Sequence, residues 1–393
     1  ILQIVSPGNN YFTNGSELTF SHSEDLASGQ ISWDGRDDEN TILTTIWDLN
    51  NQILLKGEYD LNNYFEPKLE DGGNYSITFT GVDPAGNKSI PVSIQNYHID
   101  RTSPEFSNVK PISGSVVNQD LVGYTISEDI KSGFIIFLDG VNVTKISIKE
   151  DLDRNKALPR WTDGKTYGIK LVGVDYAGNV SDTVLIENIL YDISPPIMTI
   201  YKPIYNSFVN ETQIEFSINE PLDGADLILE SNTGNIIELK LSDSYLLAGE
   251  HVFDDLIELE EKVSYSIYIQ GIDFAGNTGQ SEPIENVKYD VTEPELIILS
   301  PLEGSIVNHD RVSYTIDEDL LEGKMIWQDV SGLDDKVIHE IQLKTDELIS
   351  GSHLDITLNR IPELIDGASY MIRLEGIDLA GNTNEATPIN SYT

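Results

Sequence analysis

The sequence predicts an all-β chain of four tandem antiparallel β-sandwiches arranged as a rod, and three observations predict it. A five-residue turn motif recurs four times at similar spacing. Apolar and polar residues alternate through most of the chain, as in Tyr75-Ser76-Ile77-Thr78-Phe79-Thr80 and Tyr265-Ser266-Ile267-Tyr268-Ile269. Sustained helical periodicity is missing.

The motif is Asp-x-Ala-Gly-Asn, at Asp83–Asn87, Asp175–Asn179, Asp273–Asn277 and Asp378–Asn382, with spacings of 92, 98 and 105 residues. Its neighbours recur with it. Tyr75, Tyr167, Tyr265 and Tyr370 stand eight residues before the aspartates, and Gly81, Gly173, Gly271 and Gly376 stand two before. Seventeen residues after the first three aspartates come Asp100, Asp192 and Asp290, each opening a short proline-stiffened linker that ends at Pro104, Pro195-Pro196 or Pro294. Beyond the linkers the alignment continues through Pro7, Pro111, Pro203 and Pro301 and through Asn14, Asn118, Asn210 and Asn308. Ten residues further lie Glu24, Glu128, Glu220 and Glu318, and nine further again lie Trp33, Phe137, Leu229 and Trp327. The repeats therefore span 1–100, 101–192, 193–290 and 291–393.

A repeat of this size, with turn signals about every 8–12 residues, fits a sandwich of about seven strands. Leu69-x-x-Gly72-x-x-Tyr75, Trp161-x-x-Gly164-x-x-Tyr167 and Leu364-x-x-Gly367-x-x-Tyr370 are similar to the tyrosine corner of immunoglobulin-like domains. The third repeat keeps Leu259 and Tyr265 but has Lys262 where the glycine stands elsewhere. Trp33, Phe137, Leu229 and Trp327 occupy the place of the central core residue of such a sandwich. Trp47 has no counterpart in the other repeats and is expected in the core rather than on a sugar-binding face.

Composition narrows the function. With 24 basic and 66 acidic residues the formal charge is −42, which repels phosphate backbones and excludes nucleic acid as a partner. The acid is spread along the chain, as a solvated surface or as ligands for cations. Cysteine is absent, which removes disulfides and thiolate metal sites together. An exported chain without disulfides needs another source of rigidity, and bound calcium is a candidate. No apolar run approaches the roughly 20 residues of a membrane-spanning helix. Ile1-Leu2-Gln3-Ile4-Val5 reads as a strand rather than a signal peptide, so in an exported protein this chain would be an internal or processed segment.

If the linker enters each sandwich at the top and successive strands alternate in direction, both the turn carrying the recurring glutamate and the Asp-x-Ala-Gly-Asn hairpin return to that end. Acids distant in sequence then meet at the seams. Asp100, Glu128, Asp129 and Asp175 form the first set; Asp192, Glu220 and Asp273 the second; Asp290, Glu318, Asp319 and Asp378 the third. Glu24, Asp25 and Asp83 are the first repeat's share. The second set has Pro221 where the others carry an aspartate, so weaker coordination is expected there. Crowded carboxylates repel, and a hard divalent cation with about six to eight oxygen ligands relieves them. The competing account is local: Asp and Asn favour tight turns through side-chain bonds, and Gly supplies positive φ. The recurring glutamate favours calcium, because a turn does not require it.

Catalytic signals are missing. His22, His98, His251, His309, His339 and His353 share no repeat position and no metal-site spacing, and serine-hydrolase and phosphate-loop motifs are absent. The chain is therefore expected not to be an enzyme. Glycosylation acceptor sequons occur at Asn14, Asn74, Asn87, Asn142, Asn179 and Asn210.

The Asp-x-Ala-Gly-Asn hairpin and the Asp-x-Thr-x-Pro linker resemble the bacterial Ig-like repeats of large surface adhesins, and are similar to the HYR and cadherin-like modules. The resemblance implies an extracellular or cell-surface setting, a stalk or adhesive role, and calcium-stiffened junctions. Partners would be a surface receptor, a glycan or other copies of the chain. Four sandwiches of about 40–45 Å laid end to end would reach about 160–180 Å. The alternatives are a subunit of a self-assembling filament and a carbohydrate-binding or spacer region of a secreted polysaccharide-degrading enzyme.

Overall fold

A computed structural model of the chain describes residues 1–37, 39–148, 153–157, 161–332, 335–358, 360, 362–384 and 388–393. The described residues are almost entirely strand and turn, with short 3₁₀ turns such as Leu61–Asn63. None of their helices is long and apolar enough to cross a membrane. They form two compact units, Ile1–Ile193 and Ser194–Thr393, and each contains two pairs of facing sheets.

The first pair shows the plan. Leu2–Ser6, Thr19–His22 and Gly57–Asp60 make a three-stranded sheet, while Tyr11–Thr13, Val92–Ile99, Asn74–Val82, Ser28–Arg36 and Ile42–Asp48 make the facing five-stranded one. The strand Asn74–Val82 alternates strictly, burying Tyr75, Ile77 and Phe79. One pairing departs from the antiparallel expectation. Tyr11–Thr13 runs parallel to Val92–Ile99, because the chain crosses between the sheets after Pro7. Val116–Val117 and Phe208–Val209 repeat this parallel pairing. The four aligned prolines also share a cis peptide bond.

Four apolar clusters fill the spaces between the facing sheets, each built from one stretch of sequence. Trp33, Phe137, Leu229 and Trp327 are at most 3% exposed, as their core assignment requires. Trp47 is also buried and stacks on Phe65 with ring centroids 5.2 Å apart.

The tyrosine corner is present in all four repeats. The hydroxyls of Tyr75, Tyr167, Tyr265 and Tyr370 accept from the backbone N–H of Glu70, Thr162, Glu260 and Ile365 at 2.7–2.9 Å. Gly72, Gly164 and Gly367 adopt φ of +72° to +77°, and Lys262 holds the same place at +64°. The corner tolerates lysine there at a steric cost of about 1–2 kcal/mol.

Candidate cation site at the repeat junctions

Each site is built from the turn upward. In all four hairpins the aspartate N–H donates to the asparagine carbonyl at 3.0–3.1 Å, closing a tight loop. The motif glycines Gly86, Gly178, Gly276 and Gly381 have φ of +91° to +99°, a region that strains any residue with a Cβ. The aspartate Oδ1 then accepts the asparagine N–H at 2.8 Å, and the asparagine amide donates to the aspartate Oδ2 at 2.7–2.8 Å. Two residues earlier, glycine leaves room for the core: a Cβ on Gly376 would come within 2.9 Å of both Leu320 and Leu296.

The linker is fixed independently. The Asp100 N–H donates to Thr13 O, and the Asp290 N–H to Val209 O. The side chain of Asp100 accepts the Thr102 N–H at 3.1 Å, and that of Asp290 accepts the Thr292 N–H at 3.2 Å. An acid just before the tyrosine corner completes the clamp. Asp71 accepts from the Arg101 N–H and the Thr102 hydroxyl, Asp163 from the Ile193 N–H, and Glu261 from the Thr292 hydroxyl. The sequence carries a signal for this clamp, an acid two residues after Leu69, Trp161, Leu259 and Leu364.

In the first unit the construction brings Asp100, Glu128 and Asp175 together, and in the second unit Asp290, Glu318 and Asp378. In each group one carboxylate oxygen per residue lies within 4.8 Å of the others. Asp175 and Asp378 are buried, at 1% and 0% exposure, and the glutamates are half-buried. At an effective dielectric of 20, two such charges 4.8 Å apart repel by about 3.5 kcal/mol. Burial, then the charges of Asp100 and Asp175, push the Glu128 carboxyl up to about 7. Burial, then Asp290 and Asp378, do the same to Glu318, also to about 7. Asp100 and Asp290 are raised by burial in the same direction.

The remaining expected ligands stand differently. Asp25 accepts the Lys56 N–H at 2.8 Å and Asp319 the Ser350 N–H at 2.7 Å, so both are engaged in holding neighbouring loops. They and Asp129 lie outside the groups of three; each follows its glutamate out of a bend between two strands. Glu24 and Asp83 line one surface recess with Asn87 at the first repeat's end. Asp83, tied by the side chain and backbone N–H of Asn87, sits below the usual carboxylate range. Asp192 closes the first unit, its N–H bonded to Val117 O, whereas Glu220 and buried Asp273 belong to the second.

Sequence spacing did not give the asparagines a role. Asn14 donates to the Asn179 Oδ1 at 3.0 Å across the first unit's junction, and Asn210 donates to the Asn382 Oδ1 at 3.1 Å across the second unit's. Phe12 also reaches Tyr176 across the junction, with centroids 6.1 Å apart.

No family model matches this chain, and no curated protein does. Solved structures share its strand-rich build at low identity. A tetra-tandem repeat from the extending region of a large adhesion protein is 15% identical with TM-score 0.31, over 100% of this chain and 98% of that one. A Ca²⁺-stabilized adhesin of an Antarctic bacterium is 13% identical with TM-score 0.27, over 99% and 100%. Three domains of chicken CNTN1 are 11% identical with TM-score 0.29, over 72% and 94%. TM-scores of this size carry no weight for function.

Proposed function

We propose that the chain is a structural stalk segment of an extracellular bacterial surface protein, with repeats 1–100, 101–192, 193–290 and 291–393, and that calcium stiffens its junctions. The observation that carries this is the recurrence, once in each unit, of the same three acids: one from the linker, one from the turn after the second strand, one from the hairpin. Repetition of one arrangement at separate seams suits a structural part better than a single active site. The donor set fits calcium, which takes carboxylate oxygens at about 2.3–2.6 Å in irregular geometry. Opposite ligands on one ion stand about 4.6–5.2 Å apart, so oxygens within 4.8 Å of one another can share one. A cation there would offset both the burial and the repulsion that lift Glu128 and Glu318.

Calorimetry and small-angle scattering with calcium and with chelator test the proposal. Calcium should raise the melting temperature and narrow the distribution of solution conformations. Identical melting and scattering in both conditions would overturn it. Negative-stain images free of assembled fibres would separate a stalk from a filament subunit.

A further inference from the structure

We infer that Asn14 and Asn210 are positioning residues: each forms a latch that closes its junction without any cation and holds the hairpin aspartate ready for one. The second half of this inference rests on the calcium proposal; the first does not. At the first unit's junction the Asn179 amide nitrogen donates to the Asp100 carbonyl at 2.8 Å and to the Asp175 Oδ2 at 2.7 Å. Both partners only accept, so the Asn179 oxygen must face the other way, toward Asn14, and Asn14 must present its nitrogen. Asn14 belongs to the first repeat, Asp100 to the linker, and Asp175 and Asn179 to the second. One chain of bonds therefore ties all three parts.

The second unit repeats it. Asn210 donates to Asn382, whose nitrogen donates to the Asp290 carbonyl at 2.9 Å and to the Asp378 Oδ2 at 2.8 Å. Asn179 and the aspartates Asp175 and Asp378 are almost fully buried, where an amide bond is worth more than on the surface. The linker is held on its other side by Arg101, whose guanidinium donates to the carbonyls of Asn14 and Leu69. No atom of this chain of bonds requires a metal. It fixes the rotamer of the hairpin aspartate, so a cation arriving at the junction meets a ligand already oriented.

The chain has no cysteine, so two spin labels can be placed uniquely in the full chain, at Ile42→Cys and Val141→Cys, both exposed and in different repeats of the first unit. Pulsed electron spin resonance would give the width of the inter-repeat distance distribution for the labelled parent, Asn14→Ala, Asn14→Gln and Glu128→Gln, each in calcium and in chelator. The parent should be narrower than Asn14→Ala in chelator, and calcium should narrow it further. Asn14→Ala should be broad in chelator and narrow in calcium, with calcium affinity about fivefold weaker, as expected for one lost hydrogen bond. Asn14→Gln should restore part of both. Glu128→Gln should be no broader than the parent in chelator and lose the calcium response. An Asn14→Ala distribution no broader than the parent's in chelator would overturn the latch. A parent indifferent to calcium, beside a broad Asn14→Ala, would instead sink the calcium proposal and leave the latch standing.

Discussion

Glu318 offers the sharpest perturbation, because replacing it should have opposite signs with and without calcium. Among the described residues it makes no hydrogen bond; burial, then the charges of Asp290, Asp378 and Asp317, outweigh the nearby Lys262 and hold its carboxyl near 7. In chelator at pH 8 all three groups carry charge. Glu318→Gln removes two repulsions of about 3.5 kcal/mol each at an effective dielectric of 20. Side-chain relaxation and salt reduce that severely, so the expected gain is about 1–2 kcal/mol. In calcium the same change removes a ligand. For a site with Kd of roughly 10⁻⁴–10⁻³ M, 10 mM calcium contributes about 1.4–2.7 kcal/mol. At about 4–8 °C per kcal/mol for a domain of this size, the calcium-induced rise in Tm lost by the variant is about 6–20 °C for the transition of the affected repeats. Differential scanning calorimetry of parent and variant in both conditions reads the two signs directly. An equal drop in Tm with and without calcium would show that Glu318 serves packing, and would refute the reasoning.

Three further outcomes follow from the same geometry. Asp378→Ala removes the carboxylate that accepts the N–H groups of Ala380, Gly381 and Asn382 at a fully buried position, orphaning those of Ala380 and Asn382 while Gly381 keeps the residue 378 carbonyl, and should cost about 3 kcal/mol in denaturant unfolding even in chelator; Asp83→Ala, in the less buried counterpart, should cost less. In chelator the folded state binds protons at Glu128 and Glu318 more readily than the unfolded chain does, because their carboxyls rise from 4.5 to about 7. Stability should therefore increase as pH falls from above 7 toward 4.5, by more in the parent than in the double variant Glu128→Gln/Glu318→Gln, and calcium should abolish that difference. In a glycosylating host, mass spectrometry should find sugar at exposed Asn142 and Asn74 and none at Asn179, whose amide is buried and fully bonded.

The repeat was legible because it was written four times. The register of Asp175, Glu128 and Asp100 against the β topology was enough to bring them to one seam, and they do lie together. The limits of legibility have physical causes. Asp25 and Asp319 look like Glu24 and Glu318 in sequence, yet one step past the bend they are held by the loops of Lys56 and Ser350. Lys262 hid a complete tyrosine corner, since a lysine can be forced to positive φ when the Tyr265 hydroxyl and the surrounding strands hold it. Asn14 and Asn210 aligned with Asn118 and Asn308, but an aligned asparagine reads as a turn residue. Only the position of Asn179 and Asn382 across the seam gives it a second meaning.

Turn chemistry and cation binding first stood as rival explanations of the Asp-x-Ala-Gly-Asn motif, and the geometry shows why they need not compete. An ionised carboxylate has about four lone-pair positions. At Asp175, Oδ1 receives the N–H groups of Gly178 and Asn179, and Oδ2 receives one bond, from the Asn179 amide. The turn therefore saturates one oxygen and leaves a lone pair on the other. Each bond to the hairpin also restricts how the carboxylate can rotate. A turn that satisfied both oxygens would make a poor ligand, and one that satisfied neither would leave the ligand swinging. The motif is compatible with both tasks, because the hairpin fixes the aspartate's position while leaving one acceptor site open at the seam.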